Sequence, residues 1–229
     1  MKITWLGHAS FRIEIEQAVL LVDPWLEGNP SFPNAMRGAA LAGATHILLT
    51  HGHFDHASEV DAIARETGAT VVGIPELAGH FGDKGHEAID FNKGGTVDLG
   101  GARVTMVSAS HSSSMKIDGV SRYAGTEAGY MIAGEGHTIY VSGDTDIMAD
   151  MAWMGELHQP DIGILCAGGH YTMDMARATW AAKRYFNFKM VIPCHYRTFP
   201  LLEQSAQVMV DGLPGVDVKT PEVMETLDI

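Results

Sequence analysis

The run His51-Gly52-His53-Phe54-Asp55-His56 constrains this chain more than any other feature. With 12 histidines in 229 residues, an H-x-H-x-D-H run arises by chance in about one such chain in 500, so it reads as a motif. It directly follows Thr45–Thr50, a segment with the composition of a buried strand. A chain leaving a strand into a tight loop can point residues i and i+2 the same way, and Gly52 lets the backbone turn. Imidazole and carboxylate are borderline ligands suited to Zn, Mn, Fe or Ni. Four such groups in six residues exceed what one catalytic zinc normally takes, which is three protein ligands and an open water position. Two metals are the natural reading.

Around the motif the chain reads as α/β. Lys2–Gly7, Ser10–Glu16 and Ala18–Asp23 are short segments rich in Ile, Val and Leu, and Phe11–Glu16 alternates apolar and polar residues. Pro24 to Ala40 reads as a loop. Ser58–Thr67 reads as a helix with Ser58 as N-cap and Gly68 just past its end, and Ala69–Gly73 as the next strand of a βαβ unit. Further strands are expected at Ala88–Phe91, Thr96–Leu99 and Ala102–Ser110, then a hairpin of Ala128–Ala133 and His137–Ser142. The last third alternates helices (Ile147–Leu157, Thr172–Phe186, Leu201–Asp211) with strands (Asp161–Leu165, Met190–Pro193, Gly215–Lys219). Strands followed by helices in both halves, with a β-rich centre, predict layered sheets with helices outside, in one domain over residues 1–229.

Further ligand-type residues stand at the ends of predicted strands: His111, Asp144 and His195. Each alone has an ordinary reading as a turn or structural residue; beside the motif loop the balance shifts to function. The net charge of −13 excludes long nucleic acids and anionic membranes as partners, because both need a basic footprint. No apolar run approaches the ~20 residues of a membrane helix. The two cysteines, Cys166 and Cys194, exclude a disulfide framework and an all-cysteine zinc site. They fit a cytoplasmic location, as does an N-terminus that enters strand-like sequence with no signal-peptide core.

Gly7-His8 near the N-terminus, the motif, then His111, Asp144 and His195 in that order resemble the metallo-β-lactamase superfamily over nearly the whole chain. Gly7–Phe11, Asp23-Pro24-Trp25-Leu26, Asn92–Gly95, Gly168–Met173 and Pro193–Pro200 resemble a branch of small prokaryotic metal-dependent hydrolases related to the ascorbate-6-phosphate lactonases. The resemblance implies a four-layer αββα sandwich, two mixed β-sheets flanked by helices, with a dinuclear site at the sheet edges. It also implies His51, His53 and His111 on one metal, Asp55, His56 and His195 on the other, and Asp144 bridging. The superfamily's diiron flavoprotein oxygen reductases resemble H-x-E-x-D-H, and here the second place is His53, which favours hydrolysis over redox chemistry.

The expected activity is hydrolysis of a small ester, lactone or phosphoester by a metal-bridging hydroxide, with Zn or Mn as the metals and Ni or Fe as further candidates. Two alternatives stay open: a phosphodiesterase or nuclease acting on short nucleotides, and a non-catalytic metal-binding or sensor protein. Asp55 and His170 are the candidate catalytic residues, His170 as substrate-binding group or general acid. His8 is a candidate wall of the site or neighbour of a ligand, with a turn-closing role open beside it. Asp23 is a candidate for orienting a ligand imidazole. Tyr196 and Thr198 are candidate donors near the reacting oxygen, or members of a packing loop. Ser112–Ser114, Arg122 and Tyr123 are expected in a long loop, as a lid, an anion contact or solvated chain. His46, His80, His86, His137 and His158 lack a ligand pattern, and Trp153 and Trp180 are expected to be helix core contacts. A small-molecule substrate and a homo-oligomer are expected.

Overall fold

The alternation at Phe11-Arg12-Ile13-Glu14-Ile15 makes a strand that buries Phe11, Ile13 and Ile15 completely and half-buries the polar pair. The computed structural model describes residues 1–229. The N-terminal strands are β1 (Lys2–Trp5), β2 (Phe11–Ile15), β3 (Ala18–Val22), β4 (His46–Leu48), β5 (Thr70–Gly73) and β6 (Ala88–Asp90). The helices among them are α1 (Arg37–Leu41), α2 (Phe54–Ala57), α3 (Val60–Thr67) and α4 (Pro75–Gly82). The chain continues through β7 (Thr96–Asp98), β8 (Arg103–Ser108), β9 (Ser114–Ile117), β10 (Val120–Tyr123), β11 (Ala128–Gly134) and β12 (His137–Val141). Then come α5 (Met151–His158), β13 (Ile162–Cys166), α6 (Met175–Tyr185), β14 (Met190–Cys194), α7 (Gln207–Gly212), β15 (Asp217–Val218) and β16 (Thr226–Asp228).

Two seven-stranded mixed sheets result, in the orders β16-β1-β2-β3-β4-β5-β6 and β15-β14-β13-β12-β11-β8-β7, flanked by helices. Both follow one plan. Antiparallel neighbours come first, then parallel strands from β3 to β6 and from β12 to β15. Parallel strands need crossover connections, and these bring the loops that follow β4, β12 and β14 to matching sheet ends. The sheets share one hydrophobic core. Near the site they are also joined by polar contacts: the Ala128 N–H donates to Thr50 O at 2.9 Å, and the buried Tyr130 hydroxyl donates to Leu49 O.

The structure corrects several expectations. The helix expected over Ser58–Thr67 starts at Val60, and a separate short helix, Phe54–Ala57, precedes it; Glu59 precedes α3 and Ser58 caps nothing with its side chain. The Pro24–Ala40 loop ends in a 3-10 turn, Asn34–Met36, and enters α1. Helix α4 lies where no helix is expected, although Pro75 at its first turn and buried Leu77, Ala78 and Phe81 mark it. The polar stretch after His111 is the hairpin β9–β10, turned at Asp118-Gly119. Strand β16 is a further addition and pairs with β1. Helix α7 is shorter than Leu201–Asp211. Trp153 and Trp180 are 44% and 51% exposed, so neither is a core contact. No helix is long and apolar enough to cross a membrane.

Gly155 lies within α5, where alanine would gain about 1 kcal/mol of helix propensity. A Cβ there would sit 2.0 Å from the Tyr185 backbone oxygen, so α5 and the end of α6 would have to separate. Overpacking costs about 1–3 kcal/mol and here has backbone as its obstacle, so packing wins. Gly155→Ala is expected to lower stability by about 1–2 kcal/mol in urea unfolding; a gain would show that α5 yields freely.

Candidate metal centre

The motif straddles a strand end and a helix start. His51 follows β4, His53 stands at the cap position of α2 with extended backbone, and Asp55 and His56 lie in α2. Gly52 does not adopt a left-handed conformation. Its requirement is space: a Cβ would lie 2.7 Å from Ala124 Cβ and 2.8 Å from Met115 Cγ, where the β9–β10 hairpin packs on the motif. The other groups arrive from the second sheet: His111 beyond β8, Asp144 beyond β12, His195 beyond β14.

Four of the five imidazoles converge on Asp144. Its Oδ2 lies 3.2 Å from His195 Nε2, 3.4 Å from His56 Nε2, 3.7 Å from His111 Nε2 and 3.9 Å from His51 Nε2. Asp55 Oδ2 is 3.5 Å from His195 Nε2 and 3.8 Å from His56 Nε2. His51 Nε2 is 3.0 Å from His53 Nδ1. Tetrahedral ligands about 2.1 Å from a zinc ion stand about 3.4 Å from one another, so the spacings suit metal ligation. His56 Nε2, both nitrogens of His195 and Asp144 Oδ1 are buried without a hydrogen-bond partner. Buried polar atoms left in that state are costly, and these belong to side chains converging on one point. Three groups of candidate ligand atoms form: His51, His53 and His111; His8, Asp55, His56 and His195; and Asp23, His51 and His56. The donor set therefore fits divalent metal.

The imidazoles are aimed by their other nitrogens. His56 Nδ1 donates to Asp23 Oδ2 at 2.8 Å. Thr50 Oγ1 donates to the same oxygen at 2.6 Å and lies 3.0 Å from His51 Nδ1. Asp23 thus meets Nδ1 of His56 directly and Nδ1 of His51 through Thr50, which leaves both Nε2 atoms facing the cluster. His111 is held by its backbone N–H, which donates to Glu127 Oε1 at 2.9 Å. His8, Asp23 and His195 all have left-handed backbone (φ 51°, 45° and 60°), a strain that persists where surrounding contacts over-determine the fold.

Charge is balanced inside the cluster. Burial would raise the Asp144 carboxyl, but His195 and His56 hold it well below the usual carboxylate range. Burial would raise Asp55 too; the His56 charge, the close approach of His195 at 3.5 Å and the His8 hydrogen bond reverse this. Burial opposes charge on His56 and His195, but Asp144 and its fellow carboxylates outweigh it, pushing His56 well up and His195 up to about 9. Burial wins at His51, which falls well below the ordinary value, and at His8, which falls to about 4.

The cluster opens into a cavity of about 790 Å³, walled by α2, the end of α4 and the β9–β10 hairpin. Phe54, His80, Lys84, Lys116 and Tyr171 line it, and the sequence marks none of them as a site residue. Lys84 and His80 are hidden there because α4 is hidden, although His80 falls in the last turn of that helix. Ser112 and Ser114 also line the cavity, whereas Arg122 and Tyr123 are exposed on β10. Three roles expected from the sequence change. His170 is exposed, packs edge-on against Tyr171 and lies in a separate depression with Asp174 and Glu203; it is Tyr171 that reaches the cavity. Tyr196 is 1% exposed and stacked on Trp5 at 5.8 Å, so it offers no donor to a reacting group. Thr198 is buried against His8, its Oγ1 2.9 Å from His8 Nδ1.

Two mixed sheets flanked by helices, with a His/Asp cluster at their ends, define the metallo-β-lactamase class of metal-dependent hydrolases. Comparison with known proteins agrees. Residues 2–195 match the family model described as "Beta-lactamase superfamily domain". A UPF0173 metal-dependent hydrolase of Cereibacter sphaeroides is 67% identical over the full length of both chains, and one of Paracoccus denitrificans 66%. Among solved structures, Igni18, a metallo hydrolase from Ignicoccus hospitalis, superposes with a TM-score of 0.85 at 30% identity, covering 99% of this chain and 97% of its own. The metallo-β-lactamase fold protein YhfI of Bacillus subtilis shares the fold at a TM-score of 0.75 and 14% identity, covering 99% of this chain and 98% of its own. The chain belongs to the β-lactamase superfamily, among the UPF0173 metal-dependent hydrolases.

Metal ligation requires neutral imidazole, whereas the metal-free cluster stores protons on His56 and His195. Adding Zn²⁺ to metal-free protein at about pH 7 is expected to release protons into a weakly buffered solution, read by an indicator dye. Because His195 loses its own proton near 9, its share of the release declines as the pH passes that value. Release that does not change across this range would show that the stored protons lie elsewhere.

Proposed function

We propose that this metal-dependent hydrolase works with two divalent ions, Zn or Mn before Ni or Fe, and cleaves a small ester, lactone or phosphoester. His51, His53 and His111 would hold one ion and Asp55, His56 and His195 the other, with Asp144 shared. The observation that carries the reading is the position of Asp144 Oδ2, within 3.9 Å of an Nε2 from His51 and His111 in one set and from His56 and His195 in the other. Bound there, two ions would polarise a carbonyl or phosphoryl group and supply a water-derived nucleophile near neutral pH.

The chain's own residues do the rest. Asp23 and Thr50 keep the His51 and His56 lone pairs aimed inward. The cavity walls position the substrate, with Phe54 and Tyr171 offering apolar faces and Lys84 and Lys116 offering cations. Since His170 faces away, solvent in the open cavity protonates the leaving group. The second reading, a phosphodiester in a short nucleotide, rests on Lys84 and Lys116, which share the wall with Asp61 and Asp118 and so offer cations to an anion only locally. No observation of the site favours a non-catalytic sensor. A single domain over residues 1–229 is supported by the one core and by a cluster drawing on both halves.

Elemental mass spectrometry on protein purified without a tag or chelator is expected to find about two metal equivalents per chain. One equivalent, persisting after dialysis against excess metal, would sink the dinuclear reading. Asp144→Asn is expected to lower turnover on a panel of esters, lactones and phosphodiesters by at least about 100-fold. Metal-loaded wild type that is inert across the whole panel would instead favour the sensor.

A further inference from the structure

His8 is completely buried, yet both polar atoms of its ring are used. Nε2 is 2.9 Å from Asp55 Oδ2, and Nδ1 is 2.9 Å from Thr198 Oγ1. An ionised carboxylate only accepts hydrogen bonds, so Nε2 carries the proton and donates. A neutral ring then has one acceptor left, Nδ1, and the Thr198 hydroxyl, which also lies 3.3 Å from Tyr196 O, turns its one proton to Nδ1 at the shorter 2.9 Å. The ring has no freedom to turn. It lies 3.9 Å from the His195 ring and meets Trp25 edge-on at 5.4 Å and Phe199 at 5.9 Å. Its backbone oxygen accepts from His195 N at 2.9 Å and from Trp5 Nε1 at 3.0 Å.

We infer that His8 is a positioning residue for Asp55: Thr198 fixes the His8 tautomer, and the His8 Nε2–H fixes the rotation of the Asp55 carboxylate. The alternative is that His8 is itself a metal ligand, since its ring lies among the same ligand atoms as Asp55, His56 and His195. The geometry argues against it. His56 Nε2 and His195 Nε2 each approach both Asp55 and Asp144, at 3.2–3.8 Å, whereas His8 Nε2 approaches Asp55 alone, at hydrogen-bond distance. The consequence is that Asp55 presents Oδ1 and the remaining face of Oδ2 to a metal in one orientation. The inference rests on the reading of Asp55 as a ligand only for that last step; the tautomer stands on hydrogen bonding alone.

The test has two arms. In the first, long-range ¹⁵N NMR of the metal-free protein reads the histidine tautomers, with His8→Gln used to assign the signal. A neutral ring protonated on Nε2 is expected, and protonation on Nδ1 overturns the inference whatever the metal content. In the second, metal-free wild type and variants compete with a fluorescent chelator for Zn²⁺. His8→Ala is expected to weaken the looser site by about 10–100-fold. His8→Gln, whose amide N–H can reach Asp55 in place of Nε2–H, is expected to recover most of that loss, and Thr198→Val to show an intermediate one. If His8→Gln is as poor as His8→Ala while both unfold at the wild-type temperature, His8 is a ligand and the inference fails. If His8→Ala binds like wild type, Asp55 needs no positioning and the inference fails as well. Wild type that takes up no Zn²⁺ at all defeats the ligand reading of Asp55, while the NMR arm still decides the tautomer.

Discussion

Three carboxylates, Asp23, Asp55 and Asp144, stand in or beside the interior of a protein that otherwise fills its core with aliphatic side chains. An isolated buried charge costs several kcal/mol even after the surroundings relax. Each carboxylate here meets at least one imidazole, and imidazole is the only side chain that can compensate a carboxylate when protonated and bind a metal when neutral. The ends of both sheets depend on this exchange. Remove the histidines and the carboxylates repel; remove the carboxylates and His56 and His195 lose the groups that keep them charged.

The backbone around the cluster bears strain that the side chains must justify. Left-handed conformations at non-glycine residues cost about 1–3 kcal/mol each and survive only where contacts over-determine them. His8, Asp23 and His195 hold such conformations, and each has contacts that hold it: the His195 N–H to His8 O, the His56 and Thr50 bonds to Asp23, and the ring of His195 seated on His8. Farther out, Glu59 anchors the loop that carries Trp25, accepting from the Leu26 and Glu27 N–H groups while paired with Arg37 at 2.7 Å. Trp25 in turn packs on His8, Phe54 and Phe199, so a carboxylate on the far side of the loop steadies the aromatic wall of the site.

The sequence is legible where chemistry is local. Four ligand-type residues among six announce themselves, and His111, Asp144 and His195 stand out because strand ends are recognisable from the apolar runs before them. The first three strands, the hairpin around Glu135-Gly136 and the Gly68 helix stop are legible for the same reason. What stays hidden depends on which way a side chain faces or on which groups meet across the fold. Tyr196 follows a ligand by one residue, and the backbone there turns its ring onto Trp5. His170 and Tyr171 are neighbours with opposite destinations. Thr198 meets His8 from 190 residues away, and no spacing rule connects them. The β9–β10 hairpin carries its Asp118-Gly119 turn signal in plain view, but its half-exposed first strand and fully exposed second lack the apolar alternation that marks a strand.

The backbone bond from His195 N to His8 O ties the last member of the cluster to the first turn of the fold. A ribosome releases residues 51–56 long before residues 190–198, so a growing chain exposes half of a metal site with nothing to complete it. Local helices and hairpins form in microseconds, whereas closing the two sheets against each other must await the final strands of the second. The cluster is complete only in a chain whose two sheets have met, so a metal held by both halves would report a finished fold.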